Sequence, residues 1–89
     1  MTEREVVIIN RLGLHARAAA KFVNLASRFQ SEVHLEKAGR RVNGKSIMGI
    51  MMLAAGKGTA IKITTSGEDE HEAMEKLIDL VQSRFEEEE

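Results

Sequence analysis

The apolar residues of this chain fall into short runs with two different periods. Residues 5–9, Glu-Val-Val-Ile-Ile, are short and β-branched, which predicts a strand. Asn10 to Gly13 breaks it. From Ala16 the apolar positions are Ala19, Phe22, Val23 and Ala26, the i, i+3, i+4, i+7 spacing of one helix face. Arg17, Lys21, Asn24 and Arg28 take the other side, and this first helix is expected to end near Ser27 to Phe29. A period of two returns from Ser31 to Lys37, with Val33 and Leu35 on one face and Glu32, His34 and Glu36 on the other. The link through Ala38 and Gly39 to Arg40-Arg41-Val42-Asn43 predicts a hairpin.

A second helix is expected from Ser46 to Ala55, with Ser46 as N-cap and Gly56 as the residue that stops it. Thr59 to Thr65 alternates again, with Ile61 and Ile63 inward and Lys62 and Thr64 outward. After the turn at Ser66-Gly67, Asp69 with Glu72 three residues later predicts a helix cap. Ala73, Leu77, Leu80, Val81 and Arg84 then trace a long third helix, its apolar stripe widened by Met74, Ile78 and Phe85. The acidic run 86–89 is expected to be a solvated, frayed tail. The order is β-α-β-β-α-β-α, an α+β two-layer sandwich with an antiparallel sheet. The middle helix is almost devoid of polar side chains. With Ile50, Leu53 and Ala54 toward the core, Ile47, Met48 and Met51 are left outside as an apolar patch. Such a patch marks a partner surface, and methionine suits one that must accept several partners.

Composition narrows the classes. A chain of 89 residues holds one core, a single domain spanning 1–89. Apolar and charged fractions of 43% and 30% are those of a globular protein. A net charge of -1 supplies no basic field, which argues against nucleic acid as a partner. The absence of cysteine removes disulfide and thiolate chemistry. No run approaches the roughly 20 apolar residues of a membrane span, and the acidic start has no secretory character, so a cytoplasmic protein without membrane insertion is expected.

Two positions could carry chemistry. Gly13-Leu14-His15-Ala16-Arg17 places an imidazole at or beside the first turn of a helix, where backbone N–H groups lack internal partners. A histidine there can simply cap the helix. Three features point further: Gly13 frees the backbone, Ala16 and Ala18 to Ala20 leave space above the ring, and Arg17 suits phosphate geometry. The positive helix end disfavours a further positive charge, so a ring nitrogen keeps the lone pair that attacks phosphorus. The helix-start residues Ala16, Arg17 and Ala18 would then support the phosphoryl oxygens. Ser46, likewise, can be an N-cap and nothing more. A phosphate on it would add roughly −1.5 to −2 charge beside the Met patch, enough to repel a docking partner. His34 and His71 read as surface residues, and Gly56-Lys57-Gly58-Thr59 lacks the spacing of a phosphate loop.

The residues 13–17, Gly-Leu-His-Ala-Arg, and 43–51, Asn-Gly-Lys-Ser-Ile-Met-Gly-Ile-Met, together resemble the HPr family. These are the histidine-containing phosphocarriers of the bacterial phosphoenolpyruvate-dependent phosphotransferase system. The resemblance implies an open-faced β-sandwich, a four-stranded antiparallel sheet covered on one face by three helices. It implies that His15, assisted by Arg17, takes a phosphoryl group on Nδ1 from Enzyme I and passes it to a histidine of an EIIA-type domain. Ser46 would be the target of HPr kinase/phosphorylase. Ala20, Lys21, Asn24 and Ser27 of the first helix, with Ile47, Met48 and Met51 of the second, would form a shared docking face. The carrier would be a monomer that is no enzyme in its own right, with no cofactor and no metal.

The chain departs from the family pattern in having Ala18 where proline is usual, and Met52 where smaller or polar residues are commoner. Proline pre-organises an early helical position, whereas alanine restores an N–H donor. These departures leave open a nitrogen-related or purely regulatory branch that does not feed sugar uptake. Such a regulatory module would dock on a transcription regulator or enzyme through Ser46 and the Met patch. A small ligand-binding domain of ferredoxin-like type is a third reading.

Overall fold

The computed structural model describes residues 1–87. The strands are β1 (Thr2–Val7), β2 (Glu32–Lys37), β3 (Arg40–Asn43) and β4 (Ala60–Ser66). They form one antiparallel sheet in the order β1-β4-β2-β3. Alternation decides what each strand buries. Val6 opposes Ile61 and Leu35 opposes Ile63 on the inner face, while Glu5, Lys62 and Glu36 line up across the outer one. The helices α1 (Ala16–Ala26), α2 (Ile47–Met52) and α3 (Glu70–Gln82) supply the other half of the core. Phe22 of α1, Ile50 of α2 and Leu77 and Val81 of α3 join Leu35 and Ile63 in one buried cluster. The helix α1 packs on both α2 and α3. Four antiparallel strands under three helices, in the expected element order, are thus the fold. Among the described residues no helix is long and apolar enough to cross a membrane.

Several boundaries differ from the sequence expectation, each for a physical reason. The first strand occupies Thr2–Val7 instead of 5–9. It is an edge strand with one solvated face, so the polar run Thr-Glu-Arg-Glu pairs readily with β4. Ile8 leaves the regular ladder but still exchanges backbone bonds around the next turn, donating to Thr59 at 2.9 Å and accepting from Gly58 at 2.7 Å.

The second helix is shorter than 46–55. Its last turn tightens into i to i−3 bonds, Leu53 N to Ile50 O and Ala54 N to Met51 O, both 3.1 Å. Ala54, not Gly56, is the left-handed residue that ends it, at φ 51°. Ala54 is consequently exposed, and Ala55 takes the core place expected for it.

Asp69 stands at the start of α3 without capping it through its side chain. Its carboxylate instead accepts from the Gln30 and Ser31 amides, at 2.9 and 3.0 Å, and from the Ser31 hydroxyl. Ser31 is buried, so its donors need a partner. The hydrogen bond from the Ser31 hydroxyl, followed by that from the Gln30 amide, holds the Asp69 carboxyl below its ordinary value. Finally, α3 stops at Gln82, so Arg84 is exposed and not part of the apolar stripe. Phe85 is buried from a separate turn, Arg84–Glu86, whose residues take left-handed φ of 59°, 55° and 63°.

Candidate functional site

His15 is held by what precedes it. Leu14 is buried, and its amide donates to the Ala55 carbonyl at 2.9 Å. This brings the segment after α2 against Gly13, whose φ is +68°. A Cβ at Gly13 would stand 2.5 Å from the Ala55 carbonyl oxygen, so only glycine fits both the conformation and the approach. The chain then reaches His15, the N-cap of α1, in extended conformation. The first intrahelical bond runs from Ala19 N to the His15 carbonyl at 2.8 Å. The amides of Ala16, Arg17 and Ala18 are therefore the unpaired donors of the helix start.

The His15 side chain does not cap its own helix. Its Nε2 meets Glu87 Oε2 at 2.5 Å, with the two side chains 26% and 17% exposed. Glu87 Oε1 accepts from Asn10 Nδ2 at 3.2 Å, and the same amide donates to the Gly13 carbonyl at 2.8 Å. Asn10 is fully buried between β1 and the histidine turn. Burial pushes the Glu87 carboxyl up, but hydrogen bonds from His15 and Asn10, with Lys21 nearby, hold it below the ordinary carboxylate value overall. Lys21 donates to the Phe85 carbonyl at 2.8 Å and lies 3.8 Å from the Glu86 carboxylate. Glu86 and Glu87 thus belong to the folded structure, contrary to the frayed tail expected from sequence; 88–89 lie outside the described residues. Among those described, His15 Nδ1 carries no hydrogen bond.

Neither Asn10 nor Glu87 stands out in the sequence as part of this site. Asn10 looked like a strand breaker. Glu87 is one of four like residues in a run that reads as solvated. The available signal was Phe85, an apolar residue just before the acids that gives the tail an anchor.

The other candidate residues are distributed as follows. Arg17 is exposed, and makes no hydrogen bond or ion pair among the described residues. Ala18 is fully buried, so its side chain packs into the core and does not open space above the imidazole. Only its amide belongs to the helix start. Ala16, Asn24 and Ser27 are exposed, and Ala20 and Lys21 are half-buried. Ile47, Met48 and Met51 are 39%, 73% and 44% exposed, and Met52, which the sequence reading left out of the patch, is 54% exposed. Ser46 is the N-cap of α2, its Oγ accepting from Gly49 N at 3.0 Å. His15 adjoins the opposite end of that helix, in a shallow depression of about 240 Å³ lined by Leu12, Leu14, Ala54, Ala55 and Gly56. The six residues of α2 span about 9 Å, so the apolar patch lies between the two positions. His34 lies on the open sheet face, its Nδ1 3.2 Å from Arg41 Nη2, and His71 is exposed near Thr2.

Residues 2–83 match the family model described as "PTS HPr component phosphorylation site". The phosphocarrier protein HPr of Xylella fastidiosa (strain 9a5c) is 54% identical over 87 residues, which cover 98% of each chain. That of Neisseria meningitidis serogroup B (strain MC58) is 58% identical over 85 residues, 96% of each. Among solved structures, HPr-C-His from Thermoanaerobacter tengcongensis superposes with a TM-score of 0.96 at 48% identity, covering 100% of both chains. With a model match over most of its length and relatives above half identity end to end, the chain belongs to the HPr phosphocarrier family of the phosphotransferase system.

Proposed function

We propose that this chain accepts a phosphoryl group on His15 Nδ1 from an Enzyme I-type phosphohistidine and passes it to a histidine of an EIIA-type domain. The observation that carries the reading is an imidazole at a helix N-cap whose Nδ1 has no hydrogen bond among the described residues, beside three helix-start amides without intrahelical partners. In the first transfer the Nδ1 lone pair forms the new N–P bond while the donor's N–P bond breaks. The donor imidazole leaves with that electron pair. The amides of Ala16 to Ala18 receive the phosphoryl oxygens, and Arg17, exposed and uncommitted among the described residues, closes on them. The second transfer is the same step reversed onto a new acceptor. Neither step needs a group beyond the two histidines and their oxyanion donors, so each active site is completed by the partner. The partners would dock across Ala20, Lys21, Asn24 and Ser27 of α1 and Ile47, Met48 and Met51 of α2. That surface joins an apolar patch to the reactive nitrogen.

Ser46 gives the same surface a second input. A phosphate on its hydroxyl by an HPr kinase would sit at the positive end of α2, where the helix tolerates it, and beside Ile47, where a partner with acids would be repelled. Because Ser46 and His15 occupy opposite ends of α2, this regulation acts on docking and leaves the imidazole itself untouched. Mass spectrometry tests the main assignment. Incubation with Enzyme I and phosphoenolpyruvate should add one acid-labile phosphate, and His15→Ala should abolish it. Labelling that persists in the variant would refute the reading.

A further inference from the structure

The sulfur of this chain is concentrated on one short helix. There is no cysteine, tryptophan or tyrosine, and of five methionines three, Met48, Met51 and Met52, stand in the six residues of α2. At about 100° per residue, Ile47, Met51, Met48 and Met52 follow one another over an arc of about 140° of that helix. The arc faces outward: Met48, Met51 and Met52 are 73%, 44% and 54% exposed, while Ile50 and Leu53 on the far side are buried. The other two methionines are placed differently. Met74 is 2% exposed, inside the core cluster. Met1 precedes β1, with its amino group 3.0 Å from Glu70 of α3. An oxidant arriving from solvent therefore meets a cluster of thioethers on α2 and is kept from the one in the core.

With hydrogen peroxide, a thioether lone pair attacks one peroxide oxygen. The S–O bond forms as the O–O bond breaks, and the proton of the transferred hydroxyl passes to the departing hydroxide. Sulfur is oxidised to the sulfoxide and the peroxide is reduced to water. A methionine sulfoxide reductase reverses the change, its two thiols becoming a disulfide while the oxygen leaves as water. The product differs from the thioether in the property that docking needs. A soft, weakly accepting side chain becomes a polar one with a strong acceptor oxygen. Covered by a partner's apolar surface, that oxygen loses water and gains no donor. The helix itself is not held by these side chains. Ile50 and Leu53 anchor it in the core, Ser46 Oγ takes the Gly49 amide, and Ala55 takes that of Leu14.

We propose that Met48, Met51 and Met52 are a reversible oxidation site, taken to sulfoxides by peroxides, and that their oxidation closes the docking face while leaving His15 and the fold intact. The proposal rests on phosphoryl donors docking across this face. It is tested on the full chain treated with hydrogen peroxide, quenched with catalase and mapped by peptide mass spectrometry. Met48, Met51 and Met52 should each gain one oxygen, and Met74 none. With Enzyme I and phosphoenolpyruvate, the KM for the treated chain should rise about 10-fold at unchanged kcat, the signature of lost docking. Methionine sulfoxide reductase with a thiol should restore it. A triple variant, Met48→Leu, Met51→Leu and Met52→Leu, keeps apolar side chains of similar volume without sulfur. Compared with its own untreated sample, its KM should not move on peroxide treatment. An unchanged KM in the oxidised wild-type chain overturns the proposal. So does an equal rise in the leucine variant, which would put the sensitive group elsewhere. Loss of the circular dichroism of the fold on oxidation overturns it too, since the effect would then be unfolding. If the untreated chain takes up no phosphate, the carrier reading itself fails and the oxidation switch with it; if it does and oxidation leaves KM in place, only the switch fails.

Discussion

Gly13 shows how one residue can serve the backbone and the site together. Its left-handed φ is a strain for any other side chain, and the Ala55 carbonyl occupies the place of a Cβ. Gly13→Ala should therefore lower stability by about 1–3 kcal/mol. It should also push the segment after α2 away from His15, since Leu14 and Ala55 share a backbone bond. Urea unfolding checks the first part: the midpoint falls and the slope is unchanged if the fold is kept. Residues of this kind were legible in the sequence because their signals are local. A glycine before a histidine and a run of helix formers announces a turn into a helix start. Glu87 was not legible. It reaches His15 across 72 positions, through a turn with no glycine or asparagine to mark its left-handed residues.

At the scale of the element, α2 is the helix whose limits depend most on tertiary contacts. Six residues are too few for intrinsic helix stability, so its ends are set from outside. At the C-terminal end the tie from Ala55 to Leu14 draws the chain out of the helix two residues before the glycine that sequence alone would choose. At the N-terminal end the Ser46 hydroxyl takes the Gly49 amide. Ser46→Ala removes that acceptor and should cost about 0.5–2 kcal/mol. Ser46→Asp keeps an acceptor and adds negative charge at the positive helix end, so it should melt within a few tenths of a kcal/mol of wild type. Thermal melts of the two variants separate these cases. An aspartate variant as unstable as the alanine one would mean that a negative group at position 46 disturbs α2. In that event regulation at Ser46 could not leave the fold intact. The central strands, by contrast, were read nearly to their ends. A period of two with one buried face allows a single register for β2 and β4, and the edge strand β3 spans the expected Arg40–Asn43, stopped at Asn43-Gly44.

For the whole molecule, the carboxylates that tie distant parts of the chain together set its response to acid. Glu70, in the first turn of α3, accepts from Thr2 Oγ1 of β1 at 2.7 Å and from the Gly67 amide at 3.1 Å, and lies 3.0 Å from the Met1 amino group. The Thr2 hydrogen bond, then that of Gly67, lowers its pKa from 4.5 to about 2. Asp69 next to it and Glu87 at the histidine are lowered as well. A carboxyl with a depressed folded-state pKa binds fewer protons folded than unfolded. Its contribution is complete above the unfolded value and is lost as pH falls through the folded one. Stability should thus decline between about pH 4.5 and about pH 2, with the three groups acting in the same direction. Glu70→Gln keeps an oxygen for the Gly67 amide but can no longer be ionised, so its midpoint should be lower than wild type near pH 6. The two curves should approach each other near pH 2, where the wild-type carboxyl is itself becoming neutral. Thermal unfolding across that range at low salt measures the difference. Curves that stay parallel would assign the acid sensitivity to Asp69 and the His15–Glu87 pair instead. Added salt should narrow the gap only in part, because it screens the Met1 charge while the hydrogen bonds from Thr2 and Gly67 persist.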